Sequence, residues 1–430
     1  MSYARPFNLF SIKSVTTVWL FMFLVLFTAP LFPGRDTLGF YSVEWSFFFI
    51  AAIAIYLIVI MKLKNGSFIL RTDPFYYLVG LFLTLALISI VDAPNRIRGL
   101  LYIGQYIPFF FVVVVIINVV NSERKLEKVV DMMIYLGLIY SLIVILSAFT
   151  LRERRSVDLF LINNFNIGVI KALLFWEVPF IILLVKAINE KITPGRITAI
   201  AAMTFAVMLT GSRGSILMLM IISVLVFLIA RKTKRAAWVA LTLLVMVAVG
   251  LSYSPYTVKR LELLVVKSRA DFEDKITSFS RLYTAMVATE LMKNHPINGV
   301  GIGNSVYFVK SKMDELGYKI PDAVMEFWEE RRPFQTTAMP LKLGSELGIL
   351  GFIYFFVFYY YLYKRVSKAY LRASNIRLKN ILCGCKIAII AALLHNFITP
   401  AYTNYYSWFY YGVMVAASRI GFSEESRRNE

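Results

Sequence analysis

The chain has 430 residues, of which 59% are hydrophobic and only 17% charged, and its mean hydropathy is +0.68. A soluble domain carries nearer a quarter charged residues, so this composition excludes an ordinary globular enzyme and calls for surface that faces lipid. The net charge of +20 would suit a nucleic-acid binder, but the basic residues lie between apolar runs rather than along one soluble face, which excludes that class.

Apolar runs long enough to span a bilayer begin near Ser14, Val43, Pro74, Gly99, Val129, Ile167, Ile197, Ser215, Ala236, Leu341, Asn380 and Asn404. The first is too long for a signal-peptide core, and Phe32-Pro33-Gly34 after it is no small-residue cleavage site, so it reads as a retained span. The spacing predicts an all-α, polytopic membrane protein of about twelve transmembrane helices. With the N-terminus inside, the inward connections carry Lys62, Lys64 and Arg71, then Arg124, Lys125 and Lys128, then Lys186, Lys191 and Arg196. Arg231, Lys232, Lys234 and Arg235 follow, and Lys364 to Lys379 adds Arg365, Lys368, Arg372 and Arg377, so each inward connection obeys the positive-inside rule and both termini are expected in the cytoplasm.

The outward connections are short, apart from one. Leu151 to Asn166 carries Arg152, Arg154 and Arg155, which suits either an anionic partner or the headgroups of the outer leaflet. Residues 252–340 form one large outward loop, separating spans one to nine (1–251) from spans ten to twelve and a short cytoplasmic tail (341–430). Within it, Val258 to Arg269 and Ser280 to Asn294 read as helices, the first amphipathic. Cys383 and Cys385, the only cysteines, are too close for an easy disulfide and lack metal-ligating neighbours; they read as packing residues.

Three elements at the outward face could carry chemistry. Gly211-Ser212-Arg213-Gly214 is a tight turn before a span, where Ser212 can cap the helix and the free amides with Arg213 would hold an anion; the bland alternative is an interfacial arginine. Arg281 precedes His295-Pro296-Ile297-Asn298-Gly299-Val300-Gly301-Ile302-Gly303-Asn304, whose glycines fit neither a dinucleotide fingerprint nor a Walker loop and read as a backbone-shaping turn. Glu346-Leu347-Gly348-Ile349-Leu350-Gly351 re-enters the membrane, where an unpaired charge at the centre costs about 2.5 to 3.5 kcal/mol. Glu346 therefore needs a partner, and Lys342 one turn earlier is the simplest. Lys171 and Glu177 in the sixth span raise the same question, and they are not on one face. His395, near the outward end of the eleventh span, could act as a base or pack as a hydrogen-bonded histidine.

Taken in order and at one membrane face, these three elements resemble the O-antigen ligase and polymerase superfamily. The resemblance implies a membrane-embedded glycosyltransferase of GT-C-like architecture, using an undecaprenyl-diphosphate-linked oligosaccharide and no metal or cofactor. Its site would lie on the periplasmic side of the bacterial cytoplasmic (inner) membrane. It further implies that Arg213 and Arg281 bind the donor diphosphate. Glu346 and His395 are the candidates for the catalytic base, which must reach the acceptor hydroxyl. Membrane lipids and a chain-length regulator protein are candidate partners, and nucleic acid is not. Ligases of this family carry a histidine shortly before the Glu-Leu-Gly run, where this chain has Thr336 and Thr337. That departure favours a polymerase joining repeat units over a ligase transferring glycan to lipid A-core. A secondary transporter is the reading from another class, weakened by the absence of internal symmetry between the halves.

Overall fold

The computed structural model describes residues 35–38, 41–44, 73–151, 169–190, 192–210, 212–230, 233–253, 272–317, 338–398 and 405–429. These are helical apart from one short antiparallel ribbon, β1 (Arg35–Leu38) against β2 (Tyr41–Glu44), in which Arg35 pairs with Glu44 and Asp36 with Val43. Thr37, Tyr41 and Val43 favour that extended pairing, which span-length hydropathy does not detect.

The helices are α1 (Phe75–Ser89), α2 (Arg96–Val119), α3 (Glu123–Leu151), α4 (Val169–Asn189), α5 (Pro194–Leu209), α6 (Arg213–Ala230) and α7 (Thr233–Tyr253). They continue as α8 (Phe272–Asn294), α9 (Val309–Glu315), α10 (Met339–Arg372), α11 (Ile376–His395) and α12 (Tyr405–Asn429). Ten of them coincide with ten of the expected apolar runs; the run from Ser14 lies outside the described residues, as do the run from Val43 beyond Glu44 and the segment Val258 to Arg269. Five described helices are long and apolar enough to cross a membrane, namely those at Arg96–Val119, Glu123–Leu151, Lys234–Tyr253, Met339–Arg372 and Ile376–His395. Three shorter apolar helices accompany them.

Local sequence explains where the helices begin. The Asp73 carboxylate accepts from the Phe75 amide before α1, Asn95 accepts from Arg98 before α2, and Asn375 accepts from Arg377 before α11. Thr193 caps α5 ahead of a proline at its first position. The helix expected from Ser280 starts earlier, at Phe272. The connection expected from Lys364 to Lys379 is mostly helix, because α10 runs on to Arg372 and α11 starts at Ile376.

Packing follows close approach and aromatic interlock. Gly412 of α12 faces Ile116 and Val113, and Gly384 of α11 faces Ile182, so the glycines let α12 pack closely on α2 and α11 on α4. Phe82, Tyr106, Phe109, Tyr354, Phe358, Trp408 and Tyr411 interlock between α1, α2, α10 and α12. Leu228 on α6 and Trp238 and Leu244 on α7 are all more than 60% exposed, as a lipid-facing surface requires.

The connections sort into two sets. At one end Arg365 grips Asp73 through its two terminal guanidinium nitrogens at 2.6 and 2.7 Å and bonds Ser418 through Nε, while Asn375 reaches Glu123 and Asn380 reaches Glu190. This set consists of the connections expected on the inward side. At the other end the segment 295–304 meets residues 89–95 and the first turns of α10, and α10 in turn starts against residue 396.

Candidate functional site

The centre of this second end is a break in α10. Gly348 has φ 72° and ψ −169°, which interrupts the helical ladder. In an unbroken helix the Ser345 carbonyl would accept from the Ile349 amide and the Glu346 carbonyl from the Leu350 amide. Instead the Ile349 amide donates to the Pro296 carbonyl at 2.8 Å, and the Val300 and Gly301 amides donate to Ser345 and Glu346 at 2.9 and 3.0 Å. The loop thus supplies partners for three main-chain groups that the broken helix leaves open.

Close approach dictates the glycines. A Cβ on Gly299, at φ 63°, would lie 2.3 Å from the Glu346 carbonyl carbon, and one on Gly348 would lie 2.4 Å from the Ile297 carbonyl oxygen. The two glycine-containing motifs of the sequence are therefore two halves of one joint. The joint is tied to the α1–α2 corner, where the Ile302 amide donates to Ser89, the Asn95 amide to Asn304, and Asn298 to Asp92.

Glu346 is buried, and its carboxylate accepts from the Ser305 hydroxyl at 2.8 Å. The expected pairing with Lys342 is not made: Lys342, also buried, places Nζ 5.5 Å from the centre of the Tyr102 ring. One helical turn of separation permitted the pair, but Ser305, brought in by the loop, is the nearer partner.

The Ser212 turn has the expected cap, since the Ser215 amide donates to Ser212 Oγ at 3.3 Å and α6 begins at Arg213. The Arg213 side chain lies outside the described residues. Gly214 packs on Ile398, where a Cβ would come within 2.9 Å of the isoleucine. The same short segment holds His395 and Asn396, and the Asn396 carbonyl accepts from the Met339 amide at the start of α10. Residues 395–398 therefore bridge the first motif to the third.

His395 and Glu177, treated separately in the sequence, are partners: His395 Nδ1 lies 2.9 Å from Glu177 Oε2, and both side chains are buried. Glu177 Oε1 is buried with no hydrogen-bond partner among the described residues. Asn396 next door donates to the Tyr359 hydroxyl, itself hydrogen-bonded to Tyr411. His295 is exposed and lies against Phe308. Arg281 is half-buried on α8, fourteen residues and so about 21 Å along the helix before His295. It is held by the helix whose Val287 and Leu291 pack on Val300 and Met313, and it is not part of the joint itself.

No motif in the sequence singles out Arg98 or Tyr102. Arg98 is buried in the first turn of α2, with its guanidinium 5.7 Å from the Tyr102 ring and 5.3 Å from Tyr307. An arginine at the end of a span expected to face outward, against the positive-inside bias, was the available signal. Among the described residues no group of three or more His, Cys, Asp or Glu side chains could hold a metal.

Residues 198–356 match the family model described as O-Antigen ligase, an interval that contains the Ser212 turn, Arg281, the 295–304 loop and the α10 break. No curated protein matches the chain. The match and the joint fall on the same residues, and the chain carries, over residues 198–356, a domain of the O-antigen ligase and polymerase superfamily.

Proposed function

We propose that this protein is a polysaccharide polymerase that transfers undecaprenyl-diphosphate-linked oligosaccharide repeat units onto a growing glycan at the periplasmic face of the bacterial cytoplasmic membrane. The observation that carries this reading is the joint between residues 295–304 and the break in α10, which lies within the matched domain and at the end of the bundle opposite the Asp73–Arg365 pair.

In this reaction an acceptor hydroxyl attacks the anomeric carbon, the bond from that carbon to the diphosphate oxygen breaks, and the lipid diphosphate leaves with the electron pair. Charge grows on the leaving diphosphate, and fixed cations aimed there lower the barrier. Arg213, at the N-terminus of α6, and Arg281 are assigned to that role. The acceptor proton needs a base within reach. His395 suits it better than Glu346, because Glu177 fixes one ring nitrogen and so orients the other, whereas the Glu346 carboxylate is committed to Ser305 inside the joint. A chain-length regulator and the surrounding lipids are the candidate partners for this role.

A ligase is the second reading, favoured by the description of the matched family. Thr336 and Thr337 in place of a histidine before the Glu-Leu-Gly run weigh against it. The test is electrophoresis of surface polysaccharide from cells carrying Arg213→Ala or Arg281→Ala at matched protein levels. Single repeat units with normal expression are expected. Unchanged ladders from both variants would overturn the assignment, and long polymer retained on its lipid carrier would identify a ligase.

A further inference from the structure

Two buried cations at the outward end of the bundle have no acid partner among the described residues. Arg98 and Lys342 are each only 3% exposed, and Arg98 Nε is buried without any hydrogen-bond partner. Both are drawn to one ring: the Arg98 guanidinium carbon and Lys342 Nζ lie 5.7 and 5.5 Å from the centre of Tyr102. That ring is fixed in turn, because Gly303 packs so closely that a Cβ there would lie 2.5 Å from it. Neither cation forms an ion pair with Glu346 or Asp92, whose carboxylates accept from Ser305 and Asn298.

A buried cation without a counter-charge is costly, and proteins keep such groups where a ligand supplies the charge. A ring between two cations relieves part of that cost but does not neutralise them. The site is also built, since Asn95, which caps the helix carrying Arg98, is bonded to Asn304 and to the Tyr307 hydroxyl. Arg98 and Lys342 lie in the first turns of two apolar helices, α2 and α10.

We infer that Arg98 and Lys342, held against Tyr102, form an anion subsite for the phosphate group of a lipid-linked substrate, separate from the diphosphate site assigned to Arg213 and Arg281. The inference rests on the polymerase reading, in which both donor and acceptor units arrive on lipid diphosphates and two such sites are needed. The same phosphate chemistry could instead come from the headgroup of an anionic phospholipid.

Native mass spectrometry of the purified full-length protein counts bound lipid in each case. Titrated with undecaprenyl diphosphate, the wild type should bind two molecules, and Arg98→Gln with Lys342→Gln should bind one, with the second site weakened roughly tenfold to hundredfold. Arg98→Lys should restore part of the binding, and the ligand-free thermal midpoint of the double variant should not fall, because removing an uncompensated buried charge relieves strain. A second arm uses phosphatidylglycerol alone: loss of a tightly held phosphatidylglycerol in the variant, with undecaprenyl diphosphate unchanged, would keep the anion subsite and assign it to the headgroup. Unchanged binding of both lipids, or a double variant that no longer folds while Arg98→Lys binds normally, would overturn it. Failure of the polymerase reading shows separately, as intact ladders in Arg213→Ala and Arg281→Ala cells, and leaves the lipid count to stand by itself.

Discussion

His395 Nδ1 and Glu177 Oε2 lie 2.9 Å apart with both side chains shielded from solvent, so α4 and α11 are joined inside the bundle by one acid–imidazole pair. If this pair delivers the base, His395→Ala should lower polymer formation by about 10²- to 10⁴-fold while the protein still folds. Glu177→Ala, which leaves the buried Nδ1 of His395 without its hydrogen-bond partner, should in addition cost about 1 to 3 kcal/mol. Glu177→Gln keeps a group that can bond the ring, and should fold nearly normally with reduced activity. Ladder analysis beside thermal unfolding separates the two effects. Full activity in a folded His395→Ala protein would remove the base assignment.

Glycine substitutions test the joint. Gly299→Ala and Gly348→Ala place a Cβ against main-chain atoms at positive φ, where an L residue in the left-handed region costs about 1 to 2 kcal/mol before any clash. Both should greatly reduce the yield of folded protein. Gly80→Ala is the matched control: it lies within α1 with open space around it, and should stabilise by about 0.5 to 1 kcal/mol. Melting curves in detergent give all three values.

Glu346 is predicted to be a structural group. Glu346→Gln retains an acceptor for the Ser305 hydroxyl and should keep most of the polymer ladder, whereas Ser305→Ala leaves the buried carboxylate without its donor and should destabilise by about 1 to 3 kcal/mol. A folded Glu346→Gln protein without polymer would restore Glu346 as a catalytic candidate.

The Asp73–Arg365 pair lies at the opposite end and should affect folding alone. Asp73→Ala abandons a buried guanidinium and should cost about 3 to 5 kcal/mol. Polymer length per folded molecule should be unchanged, as read from ladders normalised to folded protein. A shift in polymer length at equal folded protein would show that this end communicates with the joint.

Hydropathy alone placed the helices well, because a lipid-exposed helix must present apolar side chains along its whole length, and that requirement is local. The same locality let the Ser212 cap be anticipated, since a cap involves only neighbours in the chain. The pairing of Glu346 was misjudged for the converse reason. Its helical neighbour Lys342 was visible in the sequence, whereas Ser305, forty-one residues away, becomes a neighbour only when the loop docks.

The sequence by itself determined the class of molecule, the order of its helices and the motifs that mark the domain. Tertiary structure decided which motifs meet: the glycine loop and the broken helix complete each other's hydrogen bonds, His395 finds Glu177 across the bundle, and Arg98 and Lys342 share Tyr102. The physical reason is that span formation depends on solvent and on near neighbours. Pairing of buried polar groups depends on which distant segments are brought within about 3 Å, and no local pattern encodes that distance.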